Sequence, residues 1–316
     1  MSDIKVICTS DKNVAITFTW DDFAPFHLVE IEGIYGIESN VVTSENTTID
    51  GSTYQGATAK ERHIDLTVEM DNDYLANRNL LYRCFPIKRT GTMEYIESGK
   101  SKVIEYKVEN ISPGETTGVV RDYTISLKCT DPYFKDLTDT EVIMASWVSD
   151  FSFPAEFPEE GIEFGHREAE LVKVVENDSG ANNIGITIIF KADGTVRNPA
   201  IYHAESGEFT RIGYEGNDFV LHSGQYVVIN THTGKKDIYL INNVPQAEIE
   251  ENRNKYEMID WEKVVERYGQ SINEYLDEDG NFIQLQDGTN TLTYSAGEGI
   301  DYLSVSIYYR ISYLGV

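Results

Sequence analysis

LKCTDPYFKD, Leu127 to Asp136, opens as a strand and closes on an aspartate, a proline and two aromatics. Just upstream, Tyr123, Ile125, Leu127 and Cys129 alternate with Thr124, Ser126 and Lys128. Alternation with a period of two gives a strand one greasy and one wet face. Asp131-Pro132 then imposes a turn, because proline has no N–H to give to a ladder. The spacing predicts that the strand stops at Cys129 and that the chain leaves a first domain here.

The same alternation recurs towards the start of the chain: Val14, Ile16, Phe18 and Trp20; Ile64, Leu66, Val68 and Met70; Ile104, Tyr106 and Val108. One-faced strands of this kind build antiparallel sheets around a single core, so the first domain reads as an antiparallel β-barrel or sandwich. One helix interrupts it. DNDYLANRNLLYRCFP offers Asp71 to Asp73 as caps, sets Tyr74, Leu81 and Phe85 at helical offsets, and stops at Pro86. Between Gly36 and Arg62 the chain is rich in Thr, Ser and Asn, with β-formers such as Val41, Val42 and Ile49 but little to bury. Two readings stand: an exposed loop, or a long hairpin arm that reaches a neighbouring subunit, since a strand pair without a core needs a partner.

Downstream, WVSDFSFPAEFPEEGIEFG (Trp147 to Gly165) is too aromatic and proline-rich for a flexible linker, which would be Gly/Ser-rich. It reads as a connector packed on a surface. Strand patterns then resume. Ile184, Ile186, Ile188 and Phe190 alternate, YVVINT and DIYLIN flank an HTGKK turn, and Leu303, Val305, Ile307, Tyr309 and Ile311 face away from Ser304, Ser306, Tyr308, Arg310 and Ser312. Gln246 to Gly269 is a charged helical stretch with Ile259, Lys263, Val264 and Tyr268 at helical spacing. The expected organisation is mainly β: a domain over 1–138, a connector over 139–168, and a β-sandwich with a helical insertion over 169–316.

The 316 residues carry a formal net charge of -27, with 14 basic and 22 acidic side chains up to residue 138 and 12 and 31 beyond it. Such a chain is repelled by phosphate backbones, which argues against direct nucleic-acid binding. No apolar run approaches the roughly 18 residues of a membrane segment, and MSDIKVICTSDK does not read as a signal peptide. Cys8, Cys84 and Cys129 are odd in number and far apart, which suggests neither a disulfide framework nor a zinc site and points to folding in a reducing cytoplasm.

Catalytic patterns are weak. There is no G-x-S-x-G elbow, and His27, His63, His166, His203, His222 and His232 are scattered singly. LDEDGNF sets Asp277, Asp279 and Asn281 at alternate positions, but Gly280 falls at position four and Gly288 at twelve, so the calcium-loop pattern fails. A carboxylate pair for glycoside hydrolysis has no specificity among 53 acidic residues. The reading is of a non-enzyme without cofactor or metal.

Several stretches together resemble the distal tail proteins of long-tailed, siphovirus-type bacteriophages. IEGIYGIESNVV leads through GSTYQGATAKERHIDLTVEM, with Gly56 and Arg62, into a strong strand; DNDYLANRNLLYRCFPI precedes GTMEY; then come LKCTDPYFKD, FSFPAEFPEEG, NPAIYHAESGEF and NFIQLQDGTNTLTYSAG. The resemblance covers nearly the whole chain and lies in the order and spacing of these stretches. The acidic helical stretch departs from the shortest members.

What the resemblance implies is a structural role: a six-fold ring hub at the tip of a non-contractile tail, in the virion, assembled in the host cytoplasm. N-terminal domains would build the ring, and a C-terminal sandwich of galectin or carbohydrate-binding-module type would project outward. Implied partners are other copies of the chain, the tail tube protein, the tail-associated or fibre hub protein, receptor-binding or baseplate proteins, and the tape measure protein. The arm's missing core, with the resemblance, places ring contacts at Val41, Val42, Ile49, Tyr54 and Arg62. Two further readings are a carbohydrate-binding tail protein, in which Tyr202, Tyr214, Trp261 or Tyr308 stacks on a wall sugar, and a tail-associated wall hydrolase, for which no catalytic pair is evident.

Overall fold

The computed structural model describes residues 4–21, 23–45, 50–70, 73–117, 120–148, 166–181, 183–242, 244–254 and 258–316. The chain forms two units: Met1–Leu137 with Ser312–Val316, and Thr138–Ile311. Strands are numbered in chain order throughout.

Unit 1 is a closed barrel. Its strands run β8 (Lys100–Thr117), β7 (Thr90–Glu97), β1 (Lys5–Ser10), β2 (Ala15–Thr19), β3 (His27–Glu32), β6 (Arg62–Met70) and β9 (Val120–Cys129), and β9 pairs back onto β8. Closure removes the exposed edges that an open sheet would offer to other chains. All neighbours are antiparallel except β2 and β3, which meet in parallel at Thr19 and His27. The alternation read from sequence becomes the interior: Ile64, Leu66, Val68 and Met70 of β6 and Tyr123, Ile125, Leu127 and Cys129 of β9 are all buried. Trp20 departs from that reading. β2 ends at Thr19, and Trp20 lies beyond it, partly exposed.

Helix α1 (Tyr74–Cys84) packs against β1, β2 and β6 and buries Leu81 and Cys84. Phe85 follows it into the barrel, 6.1 Å from Phe18 and 5.8 Å from Tyr106. Asp73 takes the N-cap position without a side-chain cap bond, and Asp71 lies outside the described residues.

After the turn at Asp131-Pro132 the chain does not leave unit 1 at once. Phe134 is fully buried, and β10 (Phe134–Asp136) pairs with β8 on one side and with β24 (Ser312–Tyr313) on the other. The last five residues therefore belong to unit 1, not to the second domain in which sequence placed them. Tyr313 is held there by its hydroxyl, which donates to Asp136, and by the Lys102 ammonium 3.4 Å from its ring centroid.

Unit 2 is a β-sandwich with helices on one outer face. Its larger sheet runs β12 (His166–Ala169), β11 (Thr140–Val148), β23 (Leu303–Tyr309), β14 (Ile186–Ala192), β19 (Tyr226–Asn230), β20 (Asp237–Ile241) and β21 (Gly269–Ser271). A four-stranded sheet runs β13 (Val172–Asn177), β22 (Gly288–Ser295), β16 (Ala200–His203) and β17 (Phe209–Arg211). β15 (Val196–Arg197) pairs separately with β18 (Val220–Leu221). Residues 140–148, assigned to a connector by sequence, are thus a sheet strand; from 149 to 165 the aromatic stretch lies outside the described residues.

The helical insertion comprises α2 (Gln246–Glu251) and α3 (Trp261–Tyr268), the latter capped by the Asp260 carboxylate, which accepts from the Lys263 amide at 3.2 Å. Ile259 lies before α3, in an isolated bridge with Arg253. Ile249, Trp261 and Val264 cover Ile189, Tyr226, Val228, Ile241 and Tyr308 of the large sheet. This cover explains why Tyr308, on the face that sequence marked as polar, is buried. No helix is long and apolar enough to cross a membrane among the described residues.

Candidate interaction surfaces

The stretch between β3 and β6 forms the hairpin arm: β4 (Ser39–Glu45) pairs with β5 (Ser52–Ala59) and, among the described residues, with no other strand. Every residue of β4 is exposed. Val41 is 53% exposed, Val42 51% and Tyr54 64%; Ile49 lies outside the described residues. The register slips once, between Val42 and Thr43. It pairs Val41 with Ala57 and Thr43 with Tyr54, and since Val41 and Thr43 are two steps apart, these four residues share one face. Val42 lies opposite Gly56 on the other face. A two-stranded ribbon with apolar side chains and no core is marginal alone in water.

Arg62 sits where the arm rejoins the barrel, and it is not an exposed contact residue. It is 4% exposed. Its Nε donates to the Pro132 carbonyl at 2.8 Å, and Nη1 faces the carbonyls of Gly33, Ile34 and Gly36 at 2.7, 2.8 and 2.8 Å. Nη2 donates to the carbonyl of Leu314. Burial pulls the guanidinium below its ordinary pKa, yet guanidinium is not deprotonated in proteins. The cation thus gathers carbonyls from three segments: the arm base, the Asp131-Pro132 turn and Leu314 just after β24. A planar fork of five donors suits that task where an ammonium does not. These donors are engaged within the subunit, so Arg62 fixes the arm's root and presents little surface of its own.

Gly33 allows the close approach. Its φ is +82°, and a Cβ there would lie 1.9 Å from the His63 carbonyl oxygen. Lys60 then closes the arm's neck, its amide donating to the Glu38 carbonyl at 2.8 Å and its ammonium to the Glu38 carboxylate at 3.0 Å.

In unit 2 the aromatics singled out by sequence separate into two places. Tyr202 and Tyr214 come together in a cleft of about 230 Å³ with Asn198, Arg211, Glu215 and Ser295. The Tyr202 hydroxyl accepts from Arg211 at 2.9 Å and from Ser295 at 3.3 Å. Burial raises the phenol's pKa, but hydrogen bonds from Ser295 and Arg211 outweigh it and leave the value lowered. Arg211 also pairs with buried Asp277 at 3.0 Å, and Tyr214 donates to Glu278 at 3.4 Å. Arg211 did not stand out in the sequence, and Asp277 did so only within the failed calcium-loop pattern, since nothing in their spacing marks the packing of the 277–280 turn on β17.

Trp261 is elsewhere. It is buried between Tyr226, at 6.0 Å, and Tyr308, at 6.2 Å, so Trp261 and Tyr308 are core and not sugar platforms. Among the described residues, no group of three His, Cys, Asp or Glu is placed to hold a metal ion.

No protein-family model matches the chain. No curated protein matches its sequence. Solved structures do match its fold. The SPP1 Dit (gp 19.1) protein, described as a paradigm of the hub adsorption apparatus in phages infecting Gram-positive bacteria, aligns with a TM-score of 0.62 at 13% identity over 98% of this chain and 99% of that one. A chain of the phage P2 baseplate in its activated conformation with Ca aligns at 0.52 and 10% identity over the full length of both. The chain therefore has, from end to end, the fold of a phage Dit hub protein.

Proposed function

We propose that this chain is a structural distal tail protein, a ring-forming hub at the tip of a long non-contractile phage tail. The observation that carries the reading is the end-to-end correspondence with the SPP1 Dit fold, barrel and sandwich together. The arm supports it: an exposed ribbon with apolar side chains and no partner of its own belongs against another molecule. On this reading unit 1 self-associates into a hexameric ring through the arm. Unit 2 carries receptor-binding or baseplate proteins, and the ring joins the tail tube and tape measure protein to the fibre hub. Its place is the virion, after assembly in the host cytoplasm, and its role is structural, not enzymatic.

The test is native mass spectrometry of the full chain paired with negative-stain electron microscopy. Six-subunit rings are expected, and replacing residues 39–59 by a short turn is expected to leave folded monomers. A full chain that stays monomeric at high concentration and on tail tubes counts against the reading.

The cleft around Tyr202 and Tyr214 favours one second reading, that unit 2 also grips a wall sugar, because two tyrosines there share a polar, arginine-bearing cleft. Binding of the full chain to purified wall polysaccharide, lost in Tyr202→Ala with Tyr214→Ala, would support it; no binding by the unaltered chain removes it.

A further inference from the structure

Beside α1, unit 1 opens into a largely apolar groove of about 370 Å³, lined by Tyr82, Phe85, Pro86 and Ile87 at the helix end and by Val108, Glu109, Asn110 and Ile111 of β8. Two sequence features create it. Pro86 stops the helix, which leaves Ile87 73% exposed, and the β8–β9 register slips between Val108 and Asn110, bending the strand as bulges do.

The charge around the groove is unusual for this molecule. In a chain of net charge -27, residues 74–91 carry Arg78, Arg83, Lys88 and Arg89 and no acidic residue. The arm has the opposite make-up: residues 37–59 carry no basic residue, and beyond Glu38, which Lys60 pairs at the neck, they carry Glu45 and Asp50 near the tip. Its Val41 and Tyr54 share one face and remain exposed, so the ribbon does not lie in the groove of its own subunit. An apolar strip with acidic flanks and a largely apolar groove with a basic helix side are complementary, while Glu109 on the β8 wall is held by His63 at 3.1 Å.

We propose that the Val41–Tyr54 face of one copy's arm docks in the α1–β8 groove of a second copy. The proposal rests on the self-association read above and names the surface that receives the arm. Arm and groove are different patches, so the contact is head-to-tail and propagates around a ring, whereas a self-complementary contact stops at a dimer.

Disulfide trapping in the full chain tests it, with Tyr54→Cys and Ile87→Cys at exposed positions; the native cysteines are all buried. Mixing the two single variants under mild oxidation is expected to give a covalent dimer that neither gives alone, and the double variant a ladder of multimers. Assembly that persists in native mass without any such cross-link overturns the docking site and leaves self-association standing. A chain that does not self-associate at all overturns both. A charge exchange gives a second readout. Arg83→Glu with Lys88→Glu is expected to weaken assembly about tenfold or more, and Glu45→Lys with Asp50→Lys to restore it. Failure of the reversed pair to weaken assembly also overturns the proposal.

Discussion

The guanidinium of Arg62 lies over the ring of Phe134, 5.1 Å from its centroid, and the ring beneath it is fully buried. The residue that collects carbonyls from the arm base, the turn and Leu314 is thus also stacked on the first aromatic to return to the barrel after Pro132. Arg62→Ala leaves several buried carbonyls without a donor. At about 1.5–3 kcal/mol for each bond to a charged group, a loss of about 3–5 kcal/mol from unit 1 is expected in urea unfolding. Arg62→Lys recovers only part, because one ammonium cannot serve acceptors spread around a plane. A loss under about 1 kcal/mol for the alanine variant would show that the carbonyls find water instead.

Gly33 offers a sharper contrast. Gly33→Ala meets both a left-handed backbone and the His63 carbonyl at 1.9 Å, whereas Gly51→Ala, with φ +92°, has open space around it. The second substitution is expected to cost about 1 kcal/mol from backbone strain alone. The first should cost clearly more and should lower the melting temperature of unit 1. Equal melting temperatures for the two variants would count against a fixed arm root.

Trp261 and Tyr202 separate core from cleft. Trp261→Ala empties the space between Tyr226 and Tyr308 and is expected to destabilise unit 2 by about 3–5 kcal/mol. Tyr202→Ala removes a half-buried side chain at the cleft and is expected to cost about 1–2 kcal/mol. Denaturant unfolding followed by tryptophan-independent circular dichroism measures both, and a reversed order refutes the placement of Trp261 in the core.

The same cluster sets an alkaline limit. Burial, with smaller contributions from Asp193 and Glu250, pushes the Tyr226 phenol up to about 12, against about 10 when exposed. The folded state therefore holds the proton more tightly than the unfolded chain does. The stabilisation is complete below pH ~10 and is lost as pH rises towards 12, about 3 kcal/mol over that span. Unfolding free energy against pH is expected to fall less steeply above 10 in Tyr226→Phe than in the unaltered chain. Parallel curves would mean that other groups, not this phenol, set the limit.

Much of unit 1 was legible because its strands are buried on one face. Ile64 to Met70 and Tyr123 to Cys129 carry their own period, whereas the stretch with almost nothing to bury read equally as an exposed loop or as the arm that it forms. Legibility failed where burial comes from distant chain. Tyr308 and Trp261 stood as candidate sugar platforms as well as core because sequence gives no sign that α3 lies over β23. The pairing of Phe134 with Tyr313 joins positions that local pattern cannot connect. Arg62 stood out as a residue near the arm, yet its acceptors are backbone carbonyls, which any residue supplies and no motif records. In the cleft, Tyr202 and Tyr214 were visible as aromatics, whereas Arg211 and Asp277 depend on a turn folding back onto a strand.

The neighbouring strands β10 and β24 have a mechanical consequence. The chain departs for unit 2 after one of them and comes back into the other, and the two are hydrogen-bonded side by side. Unit 2 is thus an insertion in the sequence of unit 1, between two strands paired about 5 Å apart. A load applied to it divides between two covalent paths into the barrel. Any other insert needs only a pair of ends that meet this narrow gap, because the core of the barrel is built from unit 1 alone.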